Sequence, residues 1–228
     1  MSAKRAFSAA SGRASPPCSP EVRGRFITLE GGEGVGKSTQ LKRLAEALRA
    51  RGREIVETRE PGGSPGAEAI RRLLLEGEAE RWTAGAEALL FAAARGDHVA
   101  RTIRPALEQG KWVLCDRFLD SSLAYQGGAG GVGLDTVKQL HEVGSDGFLP
   151  DRTLLLELAP DAAAKRASVR DTQGTDRIGG RGADYHGRVA AAFAALADAE
   201  PDRFCRVDAG GRPEEVTNRL VAALEDLL

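Results

Sequence analysis

From about residue 25 the chain alternates short apolar runs with stretches whose apolar residues recur every three or four positions. Runs with no polar face predict strands buried on both sides, and the periodic stretches between them predict covering helices. Phe26-Ile27-Thr28-Leu29 is the first such run. Leu41, Leu44, Ala45 and Leu48 then share one face of a helix that ends near Gly52. Ile55-Val56 predicts a second short strand, Pro61-Gly62-Gly63 a turn, and Ile70, Leu73 and Leu74 another helix. A longer helical pattern from Ala86 to Glu108 places Leu89, Val99, Ile103 and Leu107 on one stripe. It must kink or restart at Pro105, whose ring removes a backbone donor. Trp112-Val113-Leu114-Cys115, ending at Asp116, and Thr153-Leu154-Leu155-Leu156 are the third and fourth strands, and Phe204 to Val207 the fifth. Val216, Leu220, Val221, Leu224 and Leu227 mark a closing helix. Such alternation predicts an α/β fold with a parallel sheet and crossover helices.

Composition bounds this picture. The chain has 228 residues, 42% hydrophobic and 29% charged, which suits one catalytic-sized domain and is too short for two large ones. Thirty-two Lys and Arg against 33 Asp and Glu leave a formal charge of −1, so no global positive field favours a nucleic-acid polymer. Any polyanion site must be local. There is no apolar run long enough to predict a membrane span. Cys18, Cys115 and Cys205 lie far apart without a C-x-x-C pair, which predicts neither a disulfide framework nor a zinc site and fits the reducing cytoplasm. His98, His141 and His186 lack metal-ligand spacing.

Residues 1–24 are rich in Ser, Ala, Pro and Arg, carry no acid before Glu21 and show no apolar period, so a disordered tail is expected before a single domain at 25–228. A basic, Ser-rich start is also the composition of an organellar transit peptide, although Pro16, Pro17 and Pro20 break any long amphipathic helix there.

Residues 31–38, GGEGVGKS, fit G-x-x-x-x-G-K-[ST] between a predicted strand and a predicted helix. Glycines let the backbone curl until successive N–H groups and a helix N-terminus face phosphate oxygens. Gly31, Gly32, Glu33, Gly34, Val35, Gly36, Lys37, Ser38 and Thr39 are therefore the expected cradle for ATP. Lys37 would reach the β and γ phosphates, and the Ser38 hydroxyl would ligate Mg²⁺. A guanine-specific switch needs an N-K-x-D base reader, yet the one asparagine, Asn218, is followed by Arg219 and Leu220.

Asp116 ends the third strand, where ligands of parallel sheets bind. It can hold Mg²⁺ through water, orient Arg117, or cap a following helix. Phe91 and Arg95 are four apart on one helix, and Phe91 points away from the Val99 and Ile103 stripe. They suit a flat base, one stacking and one bonding a carbonyl edge, or a packed Phe beside a surface Arg. Lys165, Arg166, Arg170, Arg177 and Arg181 lie in or beside a Gly-rich stretch without apolar period. They read as a mobile lid with arginine-finger cations, or as a solvated basic loop.

Several stretches together resemble the bacterial thymidylate kinases of the nucleoside monophosphate kinase group. They are FITLEGGEGVGKSTQ at 26–40, TREPGG at 58–63, LLFAAARGDH at 89–98, VLCDRFLDSSLAYQG at 113–127 and LPDRTLLLEL at 149–158. The resemblance implies a P-loop three-layer fold with a five-stranded parallel sheet, a homodimer, and transfer of a phosphoryl group from ATP to dTMP with Mg²⁺. It implies that Phe91 stacks on thymine, that Arg95 bonds its carbonyl edge, and that Ser122 lies beside the base. Tyr125 would crowd the sugar 2′ position, with Gln126 next to it, and Arg117 would grip the monophosphate. Arg59 and Arg71 are further candidates for that site, and Glu33 stands where the family keeps a carboxylate. Gly34 replaces the P-loop arginine of one branch of the family, which leaves lid arginines, Arg170 and Arg177, as the expected catalytic cations at about 170–183. Gly179 replaces the glutamate of the family's D-R-I-E. Another nucleoside or nucleotide kinase, or a nucleotide-operated binding module, are the alternatives.

Overall fold

The computed structural model describes residues 24–78, 80–159, 162–163, 166 and 177–228. Five strands, β1 (Phe26–Glu30), β2 (Ile55–Arg59), β3 (Trp112–Asp116), β4 (Arg152–Glu157) and β5 (Phe204–Asp208), form one parallel sheet in the order β2-β3-β1-β4-β5. β1 pairs with both β3 and β4, so its C-terminal end lies where the strand order reverses. Successive side chains of a strand point to opposite faces, and the two cores divide accordingly. Ile27, Leu29, Leu114, Leu154 and Leu156 pack on one face against α1 (Lys37–Ala50). Phe26, Val113, Cys115 and Leu155 pack on the other.

The first face is closed by Leu41, Leu44 and Leu48 of α1 and by Val216 and Leu220 of the closing helix, as their spacing predicts. The second face carries α2 (Pro65–Leu75), α3 (Ala84–His98) and the helices around the cleft described below. α3 continues through a π-helical turn, Val99–Ile103, into α4 (Arg104–Glu108). The wide turn directly precedes Pro105, so the missing donor is absorbed without a break in the helix. It also shifts the phase of the buried stripe. Val99 and Ile103 are buried, whereas Leu89 is 58% exposed, and the inner face of α3 is built from Glu87, Ala88, Ala92, Arg95 and His98. The expected stripe through Leu89 is thus corrected. Leu73 likewise faces outward, leaving Ala67 and Leu74 as the buried positions of α2.

The D-R-F-L-D-S-S-L-A-Y-Q-G stretch forms a short helix, α5 (Leu119–Ser122), that widens into a π-helical segment, Leu123–Ala129. α6 (Leu134–Ser145) and α7 (Ala183–Ala199) follow, and α8 (Pro213–Ala222) stops short of Leu224 and Leu227, which fall before and in a final 3-10 turn, Glu225–Leu227. No helix among the described residues is long and apolar enough to cross a membrane.

Candidate active site

The P-loop follows from the local chain. Gly31 has φ +134°, and a Cβ there would lie 2.5 Å from the Leu156 carbonyl oxygen, so only glycine lets the loop leave β1 so close to β4. Gly36, at φ 97°, caps α1 and turns its first N–H groups into the loop. Lys37 lies buried beneath the loop and donates from Nζ to the carbonyls of Gly31 (3.1 Å) and Gly32 (2.7 Å). Burial, with help from Arg117, lowers its pKa from the ordinary lysine value to about 8, against the pull of Asp116 and Glu33. Ser38 Oγ donates to Asp116 Oδ2 at 2.7 Å. Asp116 therefore caps no helix; α5 starts after Phe118. A hydroxyl and a carboxylate side by side at the loop are hard oxygen donors of the kind Mg²⁺ takes with its own waters.

Next to the P-loop, a cleft of about 560 Å³, counting its open mouth, is lined by Glu33, Glu60, Pro61, Arg71, Leu75, Phe91, Arg95, Arg117, Phe118, Ser121, Ser122, Tyr125, Gln126 and Ile178. Its wall is mostly apolar with a few convergent polar groups, as in small-ligand sites. Phe91 is half-buried, packs against the core and also lines the cleft, so it fits both alternatives left open by its spacing. Arg95 is no surface residue: it is 2% exposed. Its Nε donates to Glu60 Oε2 (2.8 Å), and its Nη2 donates to Ser122 Oγ (2.7 Å) and to the Phe118 carbonyl (3.2 Å). Among the described residues Nη1 makes no hydrogen bond, which leaves one donor of a rigidly held fork for a ligand carbonyl. Glu60 also accepts from His98 Nδ1 at 3.0 Å, and His98 Nε2 lies 2.7 Å from Thr58 Oγ1.

Arg117 joins the two halves of the site. Its φ of 70° is in the left-handed region, a strained conformation costing of order 1–3 kcal/mol for a residue other than glycine. Nη1 donates to the Gly31 carbonyl (3.1 Å) and to Ser121 Oγ (3.0 Å). Nη2 donates to Glu33 Oε1 (2.5 Å) and Tyr125 Oη (3.2 Å), and the guanidinium lies 5.0 Å from the centre of the Tyr125 ring. Tyr125 in turn donates to Glu33 at 3.2 Å.

The remaining expected residues divide. Arg71 lines the cleft and donates to the Pro61 carbonyl at 2.6 Å. Arg59, by contrast, is exposed at the end of β2, bonded to Glu68 (3.0 Å), and is not among the lining residues. An i-to-i+9 ion pair across the Pro61-Gly62-Gly63 turn holds it away. Arg177 is no mobile finger in this conformation: its side chain is fully buried, bonded through Nη2 to Glu87 and through Nε to the Leu74 carbonyl. The basic, Gly-rich context hid this because Glu87 lies 90 residues away. Glu87 also accepts from Arg181 (2.7 Å) and from Gln126 (3.0 Å), so it ties the segment after 177 to the cleft wall. Arg166 Nη1 donates to the Ala209 carbonyl at 3.2 Å and lies 4.0 Å from where a Cβ on Gly36 would be, beside the P-loop. Lys165, Arg170, Asp176 and residues 1–23 lie outside the described residues.

Glu30, Glu60, Glu87 and Ser121 are site residues that sequence reasoning missed. Glu30 alone had a signal: alternation along β1 puts it on the same face as Phe26 and Thr28, a carboxylate ending a strand buried on both sides.

A family model described as Thymidylate kinase matches residues 29–220. A thymidylate kinase of Rhizorhabdus wittichii is 64% identical over 205 residues, covering 90% of this chain and 99% of that protein. One from Rhodopseudomonas palustris is 50% identical over 211 residues, 91% of each. The crystal structure of thymidylate kinase from Ehrlichia chaffeensis is similar with a TM-score of 0.71 at 29% identity, covering 89% of this chain and all of that one.

Proposed function

The chain belongs to the thymidylate kinase family, and from that membership we infer its reaction: a phosphoryl group passes from ATP to dTMP, giving ADP and dTDP. The observation that carries the assignment of the site is Arg117, which donates to the P-loop at Gly31 while lining the cleft that holds Phe91 and Arg95. One guanidinium thus faces both a donor-phosphate cradle and the cleft lined by Phe91 and Arg95.

We propose that thymine stacks on Phe91 and bonds Arg95 Nη1, with Ser122 and Gln126 beside it and Tyr125 against the sugar. Arg71 and Arg117 receive the monophosphate, Arg117 exchanging Glu33 for phosphate oxygen. ATP lies along the P-loop with Lys37 at its terminal phosphates. The acceptor is an ionised phosphate oxygen and needs no strong base, so positioning and charge neutralisation carry the rate. Lys37 and Arg117 hold the two anionic ends in line. Arg166 and Arg170 are the lid cations this reading assigns to the transferring group, with Arg177 as a wall residue. Ser38 and Asp116 fit Mg²⁺, which when bound neutralises phosphate charge.

We further propose a homodimer in the cytoplasm, with residues 25–228 working as one domain. The outward apolar residues Leu73, Leu89 and Val143, from the adjacent helices α2, α3 and α6, support a second copy as partner. Sedimentation of a Leu89→Asp/Val143→Asp variant at half the wild-type mass is the expected outcome, and an unchanged mass counts against this face.

The test of the reaction is ADP release followed by a coupled assay with dTMP, dUMP, dCMP and thymidine in turn. Turnover should depend on an acceptor and be greatest with dTMP. Slow ATP hydrolysis indifferent to every acceptor would support a nucleotide-operated binding module instead.

A further inference from the structure

Arg117 is an arginine with a divided guanidinium. Nη2 is bonded to Glu33 and Tyr125 on the cleft side, and the Glu33 side chain remains 23% exposed. Nη1 faces inward, to the Gly31 carbonyl and to Ser121 Oγ. Behind Ser121 stands Glu30, wholly buried at the end of β1. Glu30 Oε1 accepts from the backbone N–H of Phe118 (2.7 Å) and of Ser121 (3.3 Å), and Oε2 accepts from Ser121 Oγ (2.6 Å). One carboxylate therefore grips both ends of the turn that follows Arg117. Glu30 Oε2 accepts the Ser121 O–H, which leaves the Ser121 lone pairs to face Arg117.

This turn needs a grip. Arg117 sits at φ 70°, a conformation that persists only where the surroundings over-determine it. Its own N–H is held by the Leu29 carbonyl at 3.0 Å, one residue before Glu30. The end of β1 thus fixes the backbone of Arg117 through Leu29 and its side chain through Glu30 and Ser121. Glu30 does not line the cleft and touches no substrate position.

We propose that Glu30 is a positioning residue: through Ser121 and the Phe118 N–H it holds the inner half of the Arg117 guanidinium fixed while the outer half exchanges Glu33 for the acceptor phosphate. Burial and the neighbouring Asp120 raise its pKa to about 8 even against the Ser121, Arg117 and Phe118 interactions, so the kinetics that test the proposal are read above pH 8, where the carboxylate is the form present. The proposal rests on the cleft being the dTMP site. Were that reading wrong, the wild-type protein would show no dTMP-dependent turnover, whereas failure of this proposal leaves that turnover intact.

The experiment is a set of steady-state measurements on Glu30→Gln, Ser121→Ala, the double variant, and Arg117→Ala with and without each. Glutamine keeps the backbone bonds but donates to Ser121 Oγ, reversing that bond. Expected is a tenfold or larger loss in kcat/KM for dTMP in Glu30→Gln and Ser121→Ala, with the KM for ATP unchanged. The double variant should be no worse than the poorer single one, and neither change should reduce activity further once Arg117 is alanine. A loss of the same size in the Arg117→Ala background, additive singles, or an equal rise in the KM for ATP would overturn the proposal. If Glu30→Gln does not fold, the Ser121→Ala and Arg117→Ala pair decides by the same criterion.

Discussion

Replacing Arg95 by methionine separates what this residue does for the fold from what it does for the ligand. Arg95 is 2% exposed and Glu60 4%, with 2.8 Å between Nε and Oε2. Methionine removes the ion pair and the bonds to Ser122 and Phe118, and strands the Glu60 carboxylate in the core with His98 as its remaining partner. Removing one member of a buried pair costs about 3–5 kcal/mol, because the other charge stays desolvated. Typical domains have about 5–15 kcal/mol in total, so Arg95→Met should fold but with a much lower midpoint. Adding Glu60→Gln removes the stranded charge and should restore about half of the loss. Urea unfolding followed by circular dichroism and by fluorescence of Trp82 and Trp112 measures both. The KM for dTMP should rise at least tenfold in the single and the double variant alike, since each lacks the Nη1 donor. A loss below about 1 kcal/mol, or a double variant no more stable than Arg95→Met, would refute the reasoning about the pair.

Lys37→Met should lower kcat by orders of magnitude with little change in the unfolding midpoint, because a buried charge leaves as well as a phosphate ligand; near-normal turnover in a folded variant would contradict the P-loop assignment. Lys37 carries its charge below about pH 8 and loses it above, so kcat/KM for ATP, which reports the free enzyme, should fall as pH rises through about 8. In Lys37→Arg that limb should vanish. Ser38→Ala and Asp116→Asn should each raise the Mg²⁺ concentration needed for half-maximal rate while leaving the KM for dTMP within about twofold, read from metal titrations. Glu30 has its carboxyl pKa raised to about 8, so its contribution to stability is present below about pH 4.5 and is lost as pH rises through 8. The stability of Glu30→Gln relative to wild type should accordingly climb across that window in urea titrations, and a constant difference would contradict it.

Elements governed by a local rule were legible in the sequence. The P-loop declares itself because glycines for the backbone and a lysine and a serine for phosphate and metal fall within eight residues, and β1, β3 and β4 because strands covered on both faces are mostly apolar. β2 was seen only in its first two residues, since Glu57, Thr58 and Arg59 carry it on to the sheet edge. The α3 stripe misled because its buried face is alanine and charge, and a π turn moves the phase. α6 and α7 escaped because their apolar positions are few or are alanine. The site itself was legible where one residue does one job, as with Lys37 and Ser38. It was opaque where function comes from partners far apart in the chain: Glu60 to Arg95 across 35 residues, Glu30 to Ser121 across 91, Glu87 to Arg177 across 90. A single buried carboxylate has no periodicity of its own, and the pair becomes visible only when the sheet has brought the two segments together.

A crystal structure with dTMP and a non-hydrolysable ATP analogue would show both substrates in the site at once. Expected are a pyrimidine ring against Phe91 with a carbonyl on Arg95 Nη1, the monophosphate on Arg117, and the analogue's last phosphate at Lys37, pointing toward the monophosphate. Thymidylate bound elsewhere, or Arg117 still bonded to Glu33 with no phosphate beside it, would contradict this arrangement of the two substrates.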